Sequence, residues 1–184
     1  MIEVNIQNIV ASAILAQKLD LQYIAKSIGV AEYEPEQFPG LIYRLKDPKT
    51  ATLLFSSGKV NCTGAKSIND VRKSLGVISN ELRKIGIDIF AANELGITIQ
   101  NIVATANLNG EMNLNQVAIG LGLENIEYEP EQFPGLVYRL KKPKVAMLLF
   151  SSGKIVCAGG RTIEEVSLAI EILEKELRSQ DLFL

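Results

Sequence analysis

The sequence predicts an α+β fold made of two similar halves, each with about five antiparallel strands and two helices. The first observation behind this prediction is a long internal repeat, in which residues 33–64 return at 128–159 with 25 of 32 positions identical. Short runs of alternating polar and apolar residues, typical of strands, occur in both copies. In each copy they are followed by apolar residues at helical spacing.

The repeat also predicts the domain organisation. Residues 6–13 return at 99–106 with seven of eight positions identical, so the similarity extends over most of each half. We therefore divide the chain into a first repeat, residues 1–92, and a second repeat, residues 93–184. Because two copies are too few for a solenoid, we expect one closely joined pseudo-dimer around a two-fold axis.

The strands of the first repeat are predicted at residues 4–13, 40–46, 50–55 and 59–64, where residues alternate or are β-branched. The Ser-Ser-Gly sequence at 56–58 has the length and the glycine of a tight hairpin turn. The second repeat carries the same pattern, and the same strands are expected there.

Two long helices are predicted to begin at capping boxes, in which a Ser or Thr is followed three residues later by an acidic residue. These are Ser67 with Asp70 and Thr162 with Glu165. Shorter helices are predicted at about residues 20–29 and 114–122. Because four helices can cover only one side of about ten strands, the other side of the sheet is predicted to face solvent.

The composition excludes several classes of function. The 184 residues include no His, which excludes Ser-His-Asp and Cys-His catalysis and His-ligated metal sites. Cys62 and Cys157 are far apart and neither belongs to a CxxC motif, so we expect buried, reduced thiols. No apolar run reaches the ~20 residues of a membrane span and no signal peptide is visible, so we expect a soluble intracellular protein with no metal or cofactor.

The two motifs that suggest an enzyme are both incomplete. Ser56 with Lys59, and Ser151 with Lys154, match an SxxK spacing, but the SDN and KTG sequences that accompany SxxK in penicillin-binding enzymes are absent. The Gly-Lys pairs lack the upstream Gly and the following Ser or Thr of a Walker loop. We predict that the chain is not an enzyme.

The side chains that face away from the helices form the predicted binding surface. If Ile9 and Ala11 point toward the helices, the period of two places Asn8 and Val10 on the opposite face, beside Leu and Phe of neighbouring strands. An exposed apolar area of this size marks a binding surface. Lys and Arg at its margins favour nucleic acid, although the net charge is −2. The alternative is a non-enzymatic module that holds a lipid, a peptide or a second copy of the chain on this face.

Several motifs resemble the repeat signature of the TATA-box-binding protein family: QNIVA, YEPEQFPGLIYRL, LLFSSGK and CTGAKS. The similarity covers nearly the whole chain and appears twice. Both halves keep EYEPEQFPG and no long N-terminal extension precedes the core, so the resemblance is to archaeal members of the family.

The resemblance implies a saddle-shaped, curved sheet of ten antiparallel strands with four helices on its convex side. It implies a general transcription initiation factor that binds A·T-rich promoter DNA, the TATA box, in the minor groove and kinks it by Phe insertion. The protein partners would be transcription factor B and, through it, RNA polymerase. Without DNA we also expect a homodimer through the same face. Such a factor would act in the archaeal cytoplasm, associated with the nucleoid.

The resemblance also implies roles for individual residues. The inserting side chains would be Phe38, Phe55, Phe133 and Phe150. The base contacts would be Asn8, Val10, Leu53, Thr63, Asn101, Val103, Leu148 and Val156. The phosphate contacts would be Arg44, Ser57, Lys59, Lys66, Arg139, Ser152, Lys154 and Arg161. The contacts with transcription factor B would be Glu129, Glu131 and Gln132.

Two positions distinguish the repeats where the family faces the bases. Thr63 of the first repeat corresponds to Ala158 of the second. Asn61 corresponds to Val156, which is the usual residue of the family. The two halves are therefore not expected to read DNA identically, and we expect a weak bias in the orientation of the protein on its site.

Overall fold

The computed structural model describes all residues from Met1 to Leu184 and contains ten strands and four α-helices. The strands are β1 Val4–Ile14, β2 Ala31–Glu32, β3 Leu41–Lys46, β4 Lys49–Leu54, β5 Lys59–Ala65, β6 Thr98–Asn107, β7 Ile126–Glu127, β8 Leu136–Lys141, β9 Lys144–Leu149 and β10 Lys154–Gly160. The helices are α1 Leu21–Ser27, α2 Ile68–Lys84, α3 Leu114–Gly120 and α4 Ile163–Ser179, with short 3-10 turns at Ala92–Glu94 and Leu123–Asn125. The strand order is β2-β3-β4-β5-β1 in the first half of the chain and β6-β10-β9-β8-β7 in the second half. The predicted α+β class is confirmed.

The chain forms two compact units. One is Asn8–Gln100, and the other combines Met1–Gln7 with Asn101–Leu184. The division into sequence repeats at 1–92 and 93–184 stays a prediction, because compactness in space does not locate the end of a repeat in sequence. We call the two units the first unit, Asn8–Gln100, and the second unit, Met1–Gln7 with Asn101–Leu184.

In the first unit, α2 covers one face of the strands. Its buried stripe of Val71, Leu75, Ile78 and Leu82 recurs at helical spacing, as the sequence predicted. Strand β1 buries alternate residues from Ile9 to Ala13 and leaves the residues between them half-exposed. The second unit repeats this arrangement, with α4 burying Val166, Ile170, Leu173 and Leu177. Each unit therefore has one apolar core on one side of its strands.

The predicted capping residues begin both long helices. The Ser67 hydroxyl accepts a hydrogen bond from the backbone N–H of Asp70 at 3.1 Å, and the Thr162 hydroxyl accepts one from Glu165 at 3.1 Å. The returning carboxylates accept from the N–H of Lys66 and Arg161, one residue before the cap, rather than from the cap itself. Each cap therefore also fixes the backbone of a basic residue at the end of the preceding strand.

The predicted hairpin turns are present between β4 and β5 and between β9 and β10. Phe55 donates its N–H to the carbonyl of Lys59 at 3.0 Å, and Gly58 donates to the carbonyl of Phe55 at 2.9 Å. Gly58 has a φ of +89°, and a Cβ there would lie 1.8 Å from the carbonyl oxygen of Ala16. Only glycine fits this turn, and Gly153 occupies the same position in the second unit with a φ of +90°.

None of the four helices is long and apolar enough to cross a membrane. Both cysteines are free and buried, as predicted. Burial raises the pKa of the Cys157 thiol from its ordinary value of 9.0 to about 11.

The raised pKa of Cys157 predicts a loss of stability in alkaline solution. Between pH 9 and 11 the unfolded chain ionises this thiol while the native chain keeps it protonated, so the free energy of unfolding falls as the pH rises. Urea unfolding of the wild type and of Cys157→Ala from pH 8 to 10.5 measures the effect. We expect a steeper decline for the wild type, and parallel pH profiles would contradict the prediction.

Candidate nucleic-acid interface

The face of each unit's strands that its long helix does not cover is called here the open face. In the first unit Ile42 lies opposite Leu53, and Leu53 lies opposite Asn61 on the next strand. Because directly opposed residues of antiparallel strands share a face, these side chains form a row across the sheet. All three are half-exposed. The row ends at Ser12 of β1, which lies opposite Asn61.

The second unit carries the matching row on its own open face. Val137 lies opposite Leu148, Leu148 opposite Val156, and Val156 opposite Thr105. All four are half-exposed. Of the predicted base-contacting residues, Leu53, Leu148 and Val156 are therefore apolar side chains on accessible rows. Val10 and Val103 are half-exposed on β1 and β6 of the same faces.

Asn8 and Asn101 are held by hydrogen bonds that use their amide oxygens. The Oδ1 atom of Asn8 accepts from the backbone N–H of Gly64 at 2.7 Å, and that of Asn101 accepts from Gly159 at 2.7 Å. Both glycines have positive φ, +94° and +106°, beside irregularities in the strand register. With the oxygen occupied, each asparagine presents its NH₂ group as a donor to a ligand.

The two asparagines differ in their nearest polar neighbour. The Nδ2 atom of Asn8 lies 3.4 Å from Oγ1 of Thr63, which is itself half-exposed on the open face. The second unit has Ala158 in place of Thr63, so the NH₂ group of Asn101 has no such hydroxyl. The difference between Thr63 and Ala158 therefore changes how many N–H hydrogens of the neighbouring asparagine are free to bind a ligand.

The four predicted inserting phenylalanines form two aromatic pairs, one in each unit. Phe38 and Phe55 have ring centroids 6.1 Å apart at an angle of 68°, and Phe133 and Phe150 have centroids 6.1 Å apart at 73°. These are edge-to-face contacts. Phe38 is 40% exposed and Phe133 is 44% exposed, which is unusual for so large an apolar side chain.

Each aromatic pair rests on a buried glycine. A Cβ on Gly40 would lie 2.7 Å from Cε1 of Phe38 and 3.0 Å from Cε1 of Phe55. A Cβ on Gly135 would lie 2.7 Å from Phe133 and 3.1 Å from Phe150. The glycines therefore let the two rings close over the backbone, and any side chain there would push the rings apart.

All six predicted phosphate-binding cations are exposed. Arg44 lies 3.7 Å from the carboxylate of Glu32, and Arg139 lies 3.2 Å from that of Glu127. Exposed pairs of this kind contribute little to stability, so exchanging a carboxylate for a phosphate costs little. The four remaining cations make no ion pair within their units: Lys59, Lys66, Lys154 and Arg161.

The two serines predicted to contact phosphate form hydrogen bonds within the hairpin turns. The Ser57 hydroxyl accepts from the N–H of Lys59 at 3.4 Å, and the Ser152 hydroxyl accepts from Lys154 at 3.4 Å. Both serines are exposed, and each hydroxyl hydrogen remains available to a phosphate oxygen.

Glu129, Glu131 and Gln132 are exposed in the loop that carries Phe133. The backbone N–H groups of Gln132 and Phe133 both donate to the carbonyl of Glu129, at 2.9 and 3.0 Å. The acidic side chains therefore sit on the same turn as an exposed aromatic ring. The first unit repeats this turn, with Phe38 donating to the carbonyl of Glu34.

Four kinds of residue in the candidate site were not predicted from the sequence. They are the apolar pair Ile42 and Val137, the strand residues Ser12 and Thr105, the acidic partners Glu32 and Glu127, and the glycines Gly40 and Gly135. Alternation along β3 and β8 could have found the apolar pair. The acidic partners lie on two-residue strands, too short to give a periodic signal.

The aromatic pairs predict that Gly135→Ala disturbs one pair and leaves the other intact. The added methyl group overlaps the Phe133 ring, and overpacking of this kind costs typically about 1–3 kcal/mol. We expect loss of the ring-to-ring nuclear Overhauser effects of Phe133 and Phe150, with those of Phe38 and Phe55 retained. Gly29→Ala is the control, because a Cβ there meets nothing within 4 Å. Unchanged ring contacts in Gly135→Ala would contradict the prediction.

Comparison with known proteins identifies the family. The family model described as "Transcription factor TFIID (or TATA-binding protein, TBP)" matches residues 3–85 and again residues 96–180. The TATA-box-binding protein of Thermoplasma volcanium is 54% identical over 176 residues, covering 96% of this chain and 95% of that protein. The TATA-box-binding protein of Archaeoglobus fulgidus is 51% identical over 177 residues, covering 96% of each.

A solved structure agrees with these matches. Methanococcus jannaschii TBP superposes with a TM-score of 0.89 and 47% identity, covering 96% of this chain and 99% of that chain. This match confirms the fold class implied by the resemblance, and the family, which is not enzymatic, confirms that the chain is not an enzyme. The roles assigned to individual residues stay predictions. With two matches to one family model and relatives about half identical along nearly its whole length, the chain belongs to the TATA-binding protein family.

Proposed function

We propose that the chain is a general transcription initiation factor that binds A·T-rich promoter DNA in the minor groove, each repeat contacting one half of the site. The observation that carries this proposal is the pair of pinned asparagines. Their oxygens accept from the backbone N–H groups of Gly64 and Gly159, which holds each side chain so that it presents its NH₂ donors beside an apolar surface. The relatives' name, TATA-box-binding protein, supports the same assignment.

The minor groove of A·T pairs is the nucleic-acid surface that this chemistry fits. A·T and T·A pairs both present only the acceptors adenine N3 and thymine O2, whereas a G·C pair adds the guanine N2 amino donor. Donors from Asn8 and Asn101 complement the acceptors. The apolar side chains of Val10, Val103 and Leu148 leave a guanine amino group without a partner. The surface therefore favours A·T over G·C and does not distinguish A·T from T·A.

The exposed aromatic pairs are proposed to bend the DNA. Minor-groove proteins, of which this family is a standard example, insert apolar side chains between base steps and recover the cost of unstacking, a few kcal/mol per step, from the larger surface that bent DNA meets. Phe38 and Phe133 are already about four-tenths exposed, so their insertion buries apolar area that the free protein leaves in water.

The cations are proposed to bind the phosphates on either side of the groove. Each neutralised phosphate contributes about −0.9 to the slope of log K against log salt concentration, so six cations give a slope of up to about −5. A chain of net charge −2 can bind DNA in this way because the carboxylates of Glu32 and Glu127, which pair with Arg44 and Arg139, can exchange with phosphate. When DNA is absent, we propose that a second copy of the chain covers the open faces.

The proposal predicts saturable binding and bending that depend on A·T content. Two end-labelled duplexes, one with a central A·T-rich site and one with that site replaced by G·C, are titrated at fixed salt while energy transfer between the ends is followed. We expect increased transfer with the A·T duplex only. The Phe133→Ala variant is expected to lose the increase and at least about tenfold in affinity, because the inserting wedge is gone.

Leu123→Ala is the matched control, since Leu123 is 71% exposed in the same unit and lies outside the candidate site. It is expected to bind and bend as the wild type does. No change in transfer with either duplex would defeat the proposed function and favour a module that binds lipid or peptide. Equal losses in the two variants would place Phe133 outside the interface.

We further propose that transcription factor B, and through it RNA polymerase, binds the turn that carries Glu129, Glu131 and Gln132. Three exposed side chains with two negative charges suit a basic partner and would repel phosphate, so they suit a protein better than DNA. Their turn is fixed by the hydrogen bonds to the carbonyl of Glu129.

The partner contact predicts a difference between the two repeats under charge reversal. The double variant Glu129→Lys with Glu131→Lys is expected to weaken binding of transcription factor B to the preformed protein–DNA complex by at least about tenfold, because like charges then meet at the contact. The first repeat supplies the control, Glu34→Lys with Glu36→Lys, which makes the same change on the matching turn. Gel mobility shifts of the ternary complex measure both. Equal effects of the two variants would contradict a contact confined to the second repeat.

A further inference from the structure

Asn61 places an amide on the open face at a position where the other repeat has a methyl-bearing side chain. Asn61 lies opposite Leu53 and Ser12, and its counterpart Val156 lies opposite Leu148 and Thr105. Both residues are half-exposed. The register and the exposure are the same in both units, so the two repeats differ here in chemistry and not in placement.

The amide of Asn61 is uncommitted within its unit. Leu53 offers no polar atom, and the Ser12 hydroxyl bonds to Nε2 of Gln100 at 2.9 Å and not to Asn61. No side-chain hydrogen bond of Asn61 is formed with the rest of Asn8–Gln100. In water such an amide is solvated, but when a ligand covers it the amide needs a partner on that ligand.

The open-face asparagines therefore differ in what they offer. The oxygens of Asn8 and Asn101 already accept from Gly64 and Gly159, so what these two residues present to a ligand is their NH₂ donors. Asn61 keeps both its oxygen and its NH₂ group available. It can donate to the acceptors of an A·T pair, and it can also accept from the guanine N2 amino group of a G·C pair. Val156 can do neither.

We propose that Asn61 is a specificity-determining residue that lets the first repeat accept a G·C pair in the half-site beneath it, whereas Val156 makes the second repeat reject one. This inference rests on the proposed function. It also fixes orientation: on a site with one G·C pair at the position concerned, the protein places Asn61 over the half that contains that pair.

If Asn61 accepts a G·C pair and Val156 does not, one G·C substitution and two mirror-related substitutions should differ sharply in their effect on affinity. On a palindromic A·T core the protein binds in either of two equivalent orientations. One G·C pair in either half should cost only about twofold in affinity, because one orientation remains fully competent. G·C pairs at both mirror-related positions should cost at least about tenfold, because one of them must face Val156.

Equilibrium dissociation constants for a set of duplexes test the proposal. A palindromic A·T core is compared with cores that carry one G·C pair, moved through every position of one half, and with cores that carry the mirror-related pair of substitutions. Each protein's values are divided by its own dissociation constant for the all-A·T core. Wild type, Asn61→Val and Val156→Asn are measured. Inosine·C, which lacks the guanine N2 amino group, replaces G·C in a parallel series.

At the position facing these residues, Asn61→Val should lose at least about tenfold already with one G·C pair. Val156→Asn should accept G·C at both mirror-related positions. Inosine·C should abolish the differences between the three proteins, because the amino group that distinguishes them is absent. If Val156→Asn fails to fold, the comparison of wild type with Asn61→Val decides.

Equal penalties for wild type and Asn61→Val at every position, with tight binding to the all-A·T core, would overturn this inference and leave the proposed function standing. Differences that persist with inosine·C would also overturn it, because they could not come from the amino group. If no protein binds the all-A·T core, the proposed function fails and this inference fails with it.

Discussion

The rest of the structure depends on one-sided burial of the strands. In each unit a long helix packs its buried stripe, Val71 to Leu82 in α2 and Val166 to Leu177 in α4, on one face only. The core formed in this way contains the large buried side chains, so the residues of the other face are not needed to form it. Valines, leucines and phenylalanines on that face can therefore stay exposed in the free protein and become buried when a ligand binds. Binding of a ligand then removes this exposed apolar surface from water, which favours the complex.

The polar groups on the open face are set by the backbone that surrounds them. Gly64 and Gly159 adopt positive φ where the strand register slips, and their N–H groups turn toward the asparagine oxygens. The bulge thereby occupies the amide oxygen and leaves the NH₂ group as the part of each asparagine that is presented for binding. The proposed selectivity for A·T pairs therefore depends on a backbone irregularity as much as on the side chain, since an asparagine with an unbonded oxygen accepts a guanine amino group more readily.

Most of the fold and part of the candidate site could be predicted from the sequence. Periodicity and capping predicted the long helices, and the near-identical repeat predicted matching strands, because those signals are local and each extends over several residues. The side-chain polarity of Asn8 could not reveal which amide atom is occupied, because Gly64 is 56 positions away and meets it only through strand pairing. For the same reason the ion pairs of Glu32 and Glu127 had no signature, and the support that Gly40 gives to the Phe38 and Phe55 rings depends on a contact between two separate segments.

The near-identity of the two repeats gives special weight to the few open-face positions that differ. A perfectly two-fold protein would bind a promoter equally well in both directions, and transcription would have no direction set at this step. On the open faces, hydrogen-bonding capacity differs between the repeats at Thr63 against Ala158 and at Asn61 against Val156. Ile42 against Val137 alters only volume. Orientation requires little energy, because about 1.4 kcal/mol between the two directions already gives a tenfold preference. A single amide that finds or lacks a partner on DNA contributes on this scale, at about 1–3 kcal/mol, so the role proposed for Asn61 requires no more than one substitution in an otherwise duplicated surface.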